Sequence, residues 1–430
     1  MVLQTSNTAQ SSSAAPNKFI NFLRKHHVFN KVRAFLQKYM MLIALIAVVI
    51  FFSFQKGGAI LFPQNINNLI QTNAYVFILA TGMLLCILTG GNIDLAVGSV
   101  VCFAGGVGAI MMNRSIPWPV AVVAMLVIGL LVGIWQGFWI AYVNVPPFIA
   151  TLAGMLAFRG LSNVVMGGFA YDITDQNFLN IFGGKENCYV PDFFANIGPE
   201  IKGENGVVLN KFCLAVGIAF VIALVIYTIL HRIHLKKNGY KLQPIVSVII
   251  KTTCISAALL WLFYKLACHK GILTPLIWIG IVLAIFAYIT TKTTFGRNLY
   301  AVGGNEKAAR LSGVNTRMVK FKAYVMMGLL AGFAGVLNIA RFVGAKPSYG
   351  KQYEMDAIAA CFIGGASAYG GTGTVGGVII GALLVGVINK GMDIMGTSAN
   401  YKLVVKGLVL LLAVFFDVIM KMRKKGGAEE

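Results

Sequence analysis

Acidic residues are scarce in this chain, with 14 Asp and Glu against 36 Lys and Arg over 430 residues, and the charged types together make up only 12%. A soluble domain carries about twice that charged share. With 58% apolar residues and a mean hydropathy of +0.78, the shortage excludes an ordinary soluble core and gives an all-α polytopic membrane protein. Cysteine is sparse too: seven, none in a CxxC spacing and most inside apolar runs, where a thiol behaves as a small apolar group. That excludes a metal cluster and a disulfide framework, although Cys188 and Cys268, both placed toward the external side, leave room for one bridge. No H-E-x-x-H and no cluster of His and carboxylates at ligand spacing occurs. A phosphate-binding G-x-x-x-x-G-K-[ST] is also missing, because "GGKEN" (183 to 187) and "YGKQY" (349 to 353) fail at the Ser/Thr, so the chain does not hydrolyse ATP by itself. The string "GTGTVG" (Gly371 to Gly376) matches G-x-G-x-x-G by letter, yet it lies between two apolar spans and not after a strand of a βαβ unit.

Long apolar runs are what the chain has in quantity. A hydrocarbon slab needs about 20 apolar residues per helix, and such runs are found at 38–55, 70–89, 96–112, 118–142, 147–168, 212–230, 245–266, 272–290, 319–341, 355–369, 375–390 and 403–420. The count expected is ten to twelve transmembrane helices. The glycine-rich ones near 90–110 and 363–388 are expected to be broken or re-entrant.

The formal charge of +22 has no nucleic-acid pattern. Six Lys and Arg fall in 1–40, four in 231–242, seven in 291–322 and four in 421–425, each cluster abutting a span. The expected layout is a disordered, basic cytoplasmic tail at 1–37 with no cleaved signal, one transmembrane domain at 38–420, and a cytoplasmic tail at 421–430. The loops 231–241 and 291–318 fall on the cytoplasmic side. The stretch 169–210, with Asp172, Asp175, Glu186, Asp192, Glu200 and Glu204 against Lys185 and Lys202, falls outside, as five preceding spans also require.

Three stretches carry the functional signal. In "TGGNIDLAVGS" (Thr89 to Ser99), a carboxylate at membrane depth costs several kcal/mol unless paired, solvated or facing a cavity. Gly90 and Gly91 ahead of Asp94, with Gly98 and Ser99 behind it, permit a helix break near the translocation path, where Asn92 and Asp94 cap or brace the backbone. Capping of the next helix and direct contact with a solute both stay open for Asp94. In "TTFGRNLYAVGGNEKAARLSGVNT" (Thr293 to Thr316), Gly303 and Gly304 loosen the backbone, Asn305 caps a short helix, Glu306 suits its positive end and Gly313 ends it in the left-handed conformation. Ala308 and Ala309 allow close approach and Arg310 offers a bidentate donor, so the helix Glu306 to Ser312 suits either docking into a partner or an ordinary capped loop. In "QYEMDAIAA" (352 to 360), Glu354 and Asp356 open a span from the external side, as helix caps or at a gate. The glycines Gly364, Gly365, Gly370, Gly371, Gly373, Gly376 and Gly377 repeat the glycine-rich pattern between spans, which suggests an internal duplication; close helix packing accounts for most of them.

Together with "NVPPFIATLAGM" (Asn144 to Met155) and "YEMDAIAACFIGGASAYGGTGTVGG" (Tyr353 to Gly377), these motifs resemble the membrane permeases of bacterial ATP-binding-cassette monosaccharide importers, the ribose and xylose type, from about residue 65 to 420. The resemblance implies a homodimeric permease in the cytoplasmic (inner) membrane that carries a monosaccharide inward. It implies an extracytoplasmic sugar-binding protein as donor and a separate cassette ATPase that holds ATP and Mg, this chain binding no cofactor and no nucleic acid. The loop Gly304 to Gly313, including Leu311 and Ser312, then matches the helix that couples to the ATPase. Residues 169–271, with two spans flanking "HRIHLKKNGYK" (231 to 241), are longer than in the ribose pattern and lean toward the xylose or multiple-monosaccharide branch. The rivals are a permease for branched-chain amino acids or another small polar solute, a proton-coupled carrier with a broken helix, and, weakest, a membrane scaffold.

Overall fold

A computed structural model describes residues 27–184, 188–197, 199–203, 206–240, 242 and 244–426, with the backbone course alone at 27–39 and over most of 416–426. The expected tail at 1–26 and residues 427–430 lie outside the described residues, as do Lys185, Glu186 and Glu204. Within the expected basic tail at 1–37, the part from His27 is helical and continuous with the apolar stretch Met40–Gln55.

The helices are α1 (His27–Gln55), α2 (Pro63–Thr72), α3 (Ala74–Leu88), α4 (Val97–Asn113), α5 (Trp118–Ala141), α6 (Pro147–Met166), α7 (Gln176–Phe182) and α8 (Lys211–Lys237). They continue with α9 (Ile245–Ala267), α10 (Thr274–Lys292), α11 (Thr294–Gly304), α12 (Glu306–Leu311), α13 (Thr316–Arg341), α14 (Tyr353–Ile363), α15 (Val375–Ile394) and α16 (Ala399–Gly426). Their starts are written in the sequence. Proline occupies the first turn of α2, α5, α6 and α10, where its missing N–H is no loss. Side-chain oxygens of Asp175, Asn210, Thr293, Asn315 and Thr374 accept a backbone N–H at the starts of α7, α8, α11, α13 and α15.

Among the described residues, seven helices are long and apolar enough to cross a membrane, eight if α2 and α3 count as one span bent by 44° at Asn73. Met40–Gln55 and α4 are shorter apolar helices. The run expected as a span at 355–369 is instead an 11-residue helix, α14, followed by an irregular stretch. The broken segments anticipated near 90–110 and 363–388 are confined to 89–96 and 364–374; α4 and α15 on their far sides are unbroken.

α13 is the central helix, with 78% of its apolar window buried. Its Gly328 and Gly332 meet Gly129 and Gly133 of α5 so closely that a Cβ on Gly129 would overlap the Gly328 carbonyl, and one on Gly328 would overlap the Gly129 carbonyl. In lipid, where apolar burial gives no drive, such backbone contact is what holds two helices together. α3, α4 and α14 complete the centre. At the other extreme, α8 and α9 pack as a hairpin with 11% and 0% of their windows buried. At the end of the molecule carrying 167–210, a two-stranded antiparallel ribbon pairs Tyr171 with Ala345 and Asp172 with Gly344. The acidic residues there are structural in part: Asp175 caps α7, and the Asp192 carboxylate accepts the Lys211 and Phe212 N–H groups (2.8 and 3.0 Å) at the start of α8. Cys188 and Cys268 are both free thiols, so the bridge left open above is not formed.

Candidate translocation and coupling site

α3 ends at Leu88, and the chain then turns back on itself. Gly90 and Gly91 adopt φ of +125° and +77°, the left-handed side that glycine alone takes at no steric cost. Asn92 donates its amide to Thr89 Oγ1 (3.0 Å), closing the turn. The return brings the Asp94 N–H to the Met83 sulfur (3.4 Å), more than a helical turn back along α3, so α4 starts inside the bundle and not at its edge.

Asp94 is 1% exposed, and its Oδ1 accepts the Ala96 N–H (2.9 Å) and the Gln136 amide of α5 (3.4 Å). The residue at the cap position of α4 is Ala96, whose side chain caps nothing. Asp94 therefore braces the turn one step ahead of the helix. Ser99 is fully buried in the first turn of α4, and its hydroxyl has no partner among the described residues.

The second break packs on the first. In 364–374 the Ser367 N–H donates to Thr372 O (2.9 Å), and Gly370 and Gly371 take φ of +82° and +71°. The Gly371 N–H donates across to Leu88 O (3.2 Å), and a Cβ on Gly91 would overlap the Ala368 carbonyl. α11 seals both: Tyr300 donates its hydroxyl to Gly373 O (2.8 Å), and a Cβ on Gly303 would overlap the Leu88 carbonyl. Gly303 and Gly304 thus form the last helical turn of α11, not the loosened loop expected from their sequence. The smallness of Gly303 serves close approach, whereas a Cβ on Gly304 would meet no atom within 4 Å.

Asn305 follows directly and caps α12, its Oδ1 accepting the Ala308 N–H (3.0 Å). Glu306 accepts from the Lys320 ammonium of α13 (2.7 Å), tying the short helix to a full span. Ala309 packs inward, whereas Ala308, Arg310 and Ser312 are exposed and Leu311 stands 89% exposed. Gly313 ends the helix at φ +83°, its N–H on Arg310 O (3.1 Å). An α12 of six residues needs these ties, since so short a helix does not hold alone in water.

Glu354 and Asp356 lie in the first turn of α14, but Gln352 occupies the cap position. Asp356, 2% exposed, spends its carboxylate outside the helix: Tyr75 of α3 donates its hydroxyl (2.6 Å) and Lys406 of α16 its ammonium (2.9 Å). Tyr75 stacks on Tyr353 at 3.6 Å, and Tyr353 donates to Asn338 Oδ1 (2.7 Å). Glu354 keeps one buried oxygen without a partner among the described residues.

Lys406, Tyr75, Gln136 and Tyr300 escape a reading of motifs, since each lies far along the chain from what it bonds. A signal for Lys406 did exist, a lysine inside the apolar run 403–420. The residues chosen from sequence form two groups that meet at the start of α4, where a Cβ on Gly98 would overlap the Gly350 carbonyl and the Glu354 carboxylate. The breaks and the α11–α12 segment form one junction, and Glu354 and Asp356 belong to a second polar layer at the head of α14. No grouping of three His, Cys, Asp or Glu that could hold a metal ion occurs among the described residues.

Comparison with known proteins decides the class. A family profile described as the permease component of the branched-chain amino acid transport system matches residues 65–190 and 206–414, so it runs through both breaks and through α11–α12. The chain belongs to this permease family. Within it, the permease is 35% identical over 389 residues to the xylose transport system permease protein XylH of Escherichia coli (strain K12), covering 90% of this chain and 93% of the relative. The corresponding protein of Haemophilus influenzae is 37% identical over 391 residues, 90% of this chain and 97% of the relative. The ribose import permease protein RbsC of Escherichia coli (strain K12) is 32% identical over 354 residues, 82% of this chain and 85% of the relative. No solved structure matches the permease. A membrane-embedded transport subunit accounts for its apolar spans and broken helices.

Proposed function

We propose that this permease is the translocation subunit of an ATP-binding-cassette importer that carries a monosaccharide such as xylose inward across the inner membrane. One observation carries the reading: identity of 35–37% over 90% of the chain with xylose permeases, against a family profile whose own description names branched-chain amino acids. The partners are a cassette ATPase, which holds ATP and Mg, an extracytoplasmic sugar-binding protein, and a second copy of this chain. Both termini, the 231–241 loop and α11–α12 face the cytoplasm, in keeping with the basic clusters.

In this reading α12 is the ATPase-docking element, presenting Leu311 and Arg310, and the junction of the two breaks behind it converts ATPase movement into opening of the path. Asp94, Asn92, Gly90, Gly91 and Ser99 belong to that junction; Glu354 and Asp356 lie on the side of the gate and the binding protein. Uptake of labelled xylose by cells with and without the chain tests the proposal, with ribose, galactose, glucose, arabinose and leucine as competitors. Chain-dependent uptake that collapses on ATP depletion and is competed by sugars supports it. Competition by leucine alone would assign an amino-acid permease, and uptake that survives ATP depletion but fails with the proton gradient would assign a secondary carrier.

A further inference from the structure

The polar layer at the head of α14 opens on a cavity of about 190 Å³ between α14, α15 and α16. That volume corresponds to about six waters at 30 Å³ each in the liquid, the scale of one small solute. Polar groups from every wall interrupt an otherwise apolar lining of Val, Ile, Leu, Ala and Met side chains: Gln352 at the cap of α14 and Asp356 in its first turn, Asn389 from α15, Lys406 from α16. The Asp356–Lys406 pair neutralises itself at 2.9 Å, so the lining carries no net charge but keeps hydrogen-bond acceptors and donors. Gln352 is held at φ +67°, a left-handed backbone that a non-glycine residue tolerates only where surrounding structure imposes it, and such strain gathers at ligand clamps.

From this arrangement we infer that the cavity between α14, α15 and α16 is a waypoint for a small, uncharged, polyhydroxylated solute, whose hydroxyls meet Asp356, Lys406, Asn389 and Gln352 while its C–H faces meet the apolar wall. An amino acid zwitterion would have to break the Asp356–Lys406 pair to satisfy its own charges. A polyol needs only the lone pairs and N–H groups left over. The inference rests on the sugar reading above and narrows it to particular residues.

Gly407 gives the test. It lines the cavity, and a Cβ built there meets no atom within 4 Å, so Gly407→Leu fills the space without forcing the backbone. Gly280 on α10 is equally open and lies away from the cavity, which makes Gly280→Leu the control. In proteoliposomes holding permease, ATPase and binding protein, Gly407→Leu is expected to cut xylose uptake about tenfold, a change of about 1.4 kcal/mol in barrier, with complex assembly and the size of the permease assembly unchanged. In parallel, Leu403→Cys on the cavity wall, in a Cys254→Ser background, should react with a water-soluble maleimide, and xylose but not leucine should slow that reaction. Wild-type uptake by Gly407→Leu, absence of any labelling at Leu403→Cys, or labelling indifferent to xylose would each overturn the waypoint while leaving the importer reading intact. Protection by leucine instead would overturn the solute class. Loss of uptake together with loss of assembly would make the cavity a packing or subunit contact. If the wild-type complex itself takes up no sugar, the importer reading fails first, a result separable from all of these.

Discussion

At the residue scale Asp94 shows how little of a polar group's role its type reveals. A buried carboxylate between two apolar runs is equally compatible with capping, with solute contact and with charge pairing, and only the positions of Ala96 N and Gln136 Nε2 separate them. Both bonds fall on a single oxygen, Oδ1, and the Gln136 Oε1 atom has no partner among the described residues. Asp94→Asn keeps that oxygen as acceptor and brings an amide that the free Gln136 oxygen can accept, so it should leave stability and uptake within about twofold of wild type. Asp94→Ala strands the buried Ala96 N–H and the Gln136 amide, each at about 1–3 kcal/mol, and should lower the thermal midpoint of the purified permease. Equal and severe loss in both variants, in protein that still folds, would mean that the charge itself is used. Asp356 gives the complementary case. Its place in the first turn of α14 suggests a cap, yet its partners Tyr75 and Lys406 lie 281 and 50 residues away, and no pattern around Asp356 itself pairs it with them.

Elements were more readable than residues, and the reason is that their signals are local. Asn305 and Gly313 bracket α12 by capping chemistry that acts within a few residues, so the short helix between them is readable from the sequence, to within its last residue. Gly303 carries the opposite lesson. Glycine in sequence reads as looseness, but here it permits the last turn of α11 to lie on the Leu88 carbonyl and on Gly371, which is a tertiary demand. The two demands separate docking from transmission. Leu311→Asp, on a side chain 89% exposed, should leave the permease folded and abolish co-purification of the ATPase. Gly303→Ala should retain the ATPase, because α12 keeps its cap and its Glu306–Lys320 tie, but should lower uptake per ATP hydrolysed by pushing α11 off the two breaks. Retention of the ATPase by Leu311→Asp, or unchanged coupling in Gly303→Ala, would refute the respective half of this division. Tyr300→Phe, which loses one hydrogen bond to Gly373 O worth about 0.5–1.5 kcal/mol net, should show a weaker form of the same uncoupling.

For the whole molecule, apolar run length was enough to find the seven long apolar helices among the described residues, since hydrocarbon thickness sets the length needed, but it counted as full spans the shorter helices at Met40–Gln55, α4 and α14. Nor could it rank the spans, because every helix in lipid is apolar whether it lies at the centre or the rim. α13 and α8 both have long apolar windows, yet 78% of one and 11% of the other is buried, and the difference arises from glycines that allow α13 to touch α5 backbone to backbone. The α8–α9 hairpin is thus a peripheral addition, and its geometry makes it removable. It leaves and re-enters the bundle at one point, where the Asn210 N–H donates to Ala267 O at 3.1 Å. Replacing residues 212–266 by a short Gly/Ser linker removes an even number of spans, keeps the loops on either side in their present orientation, and removes little of the packing around α13. The shortened permease is expected to insert, to run as the same oligomer in detergent and to retain the ATPase, with a cysteine probe placed in the α11–α12 loop reactive from the same side as in the full-length permease. A shortened chain that aggregates would show that the hairpin supports the bundle. One that assembles with the ATPase but no longer takes up xylose would assign the hairpin to the transport cycle, through the Asp192 brace that joins α8 to the acidic stretch.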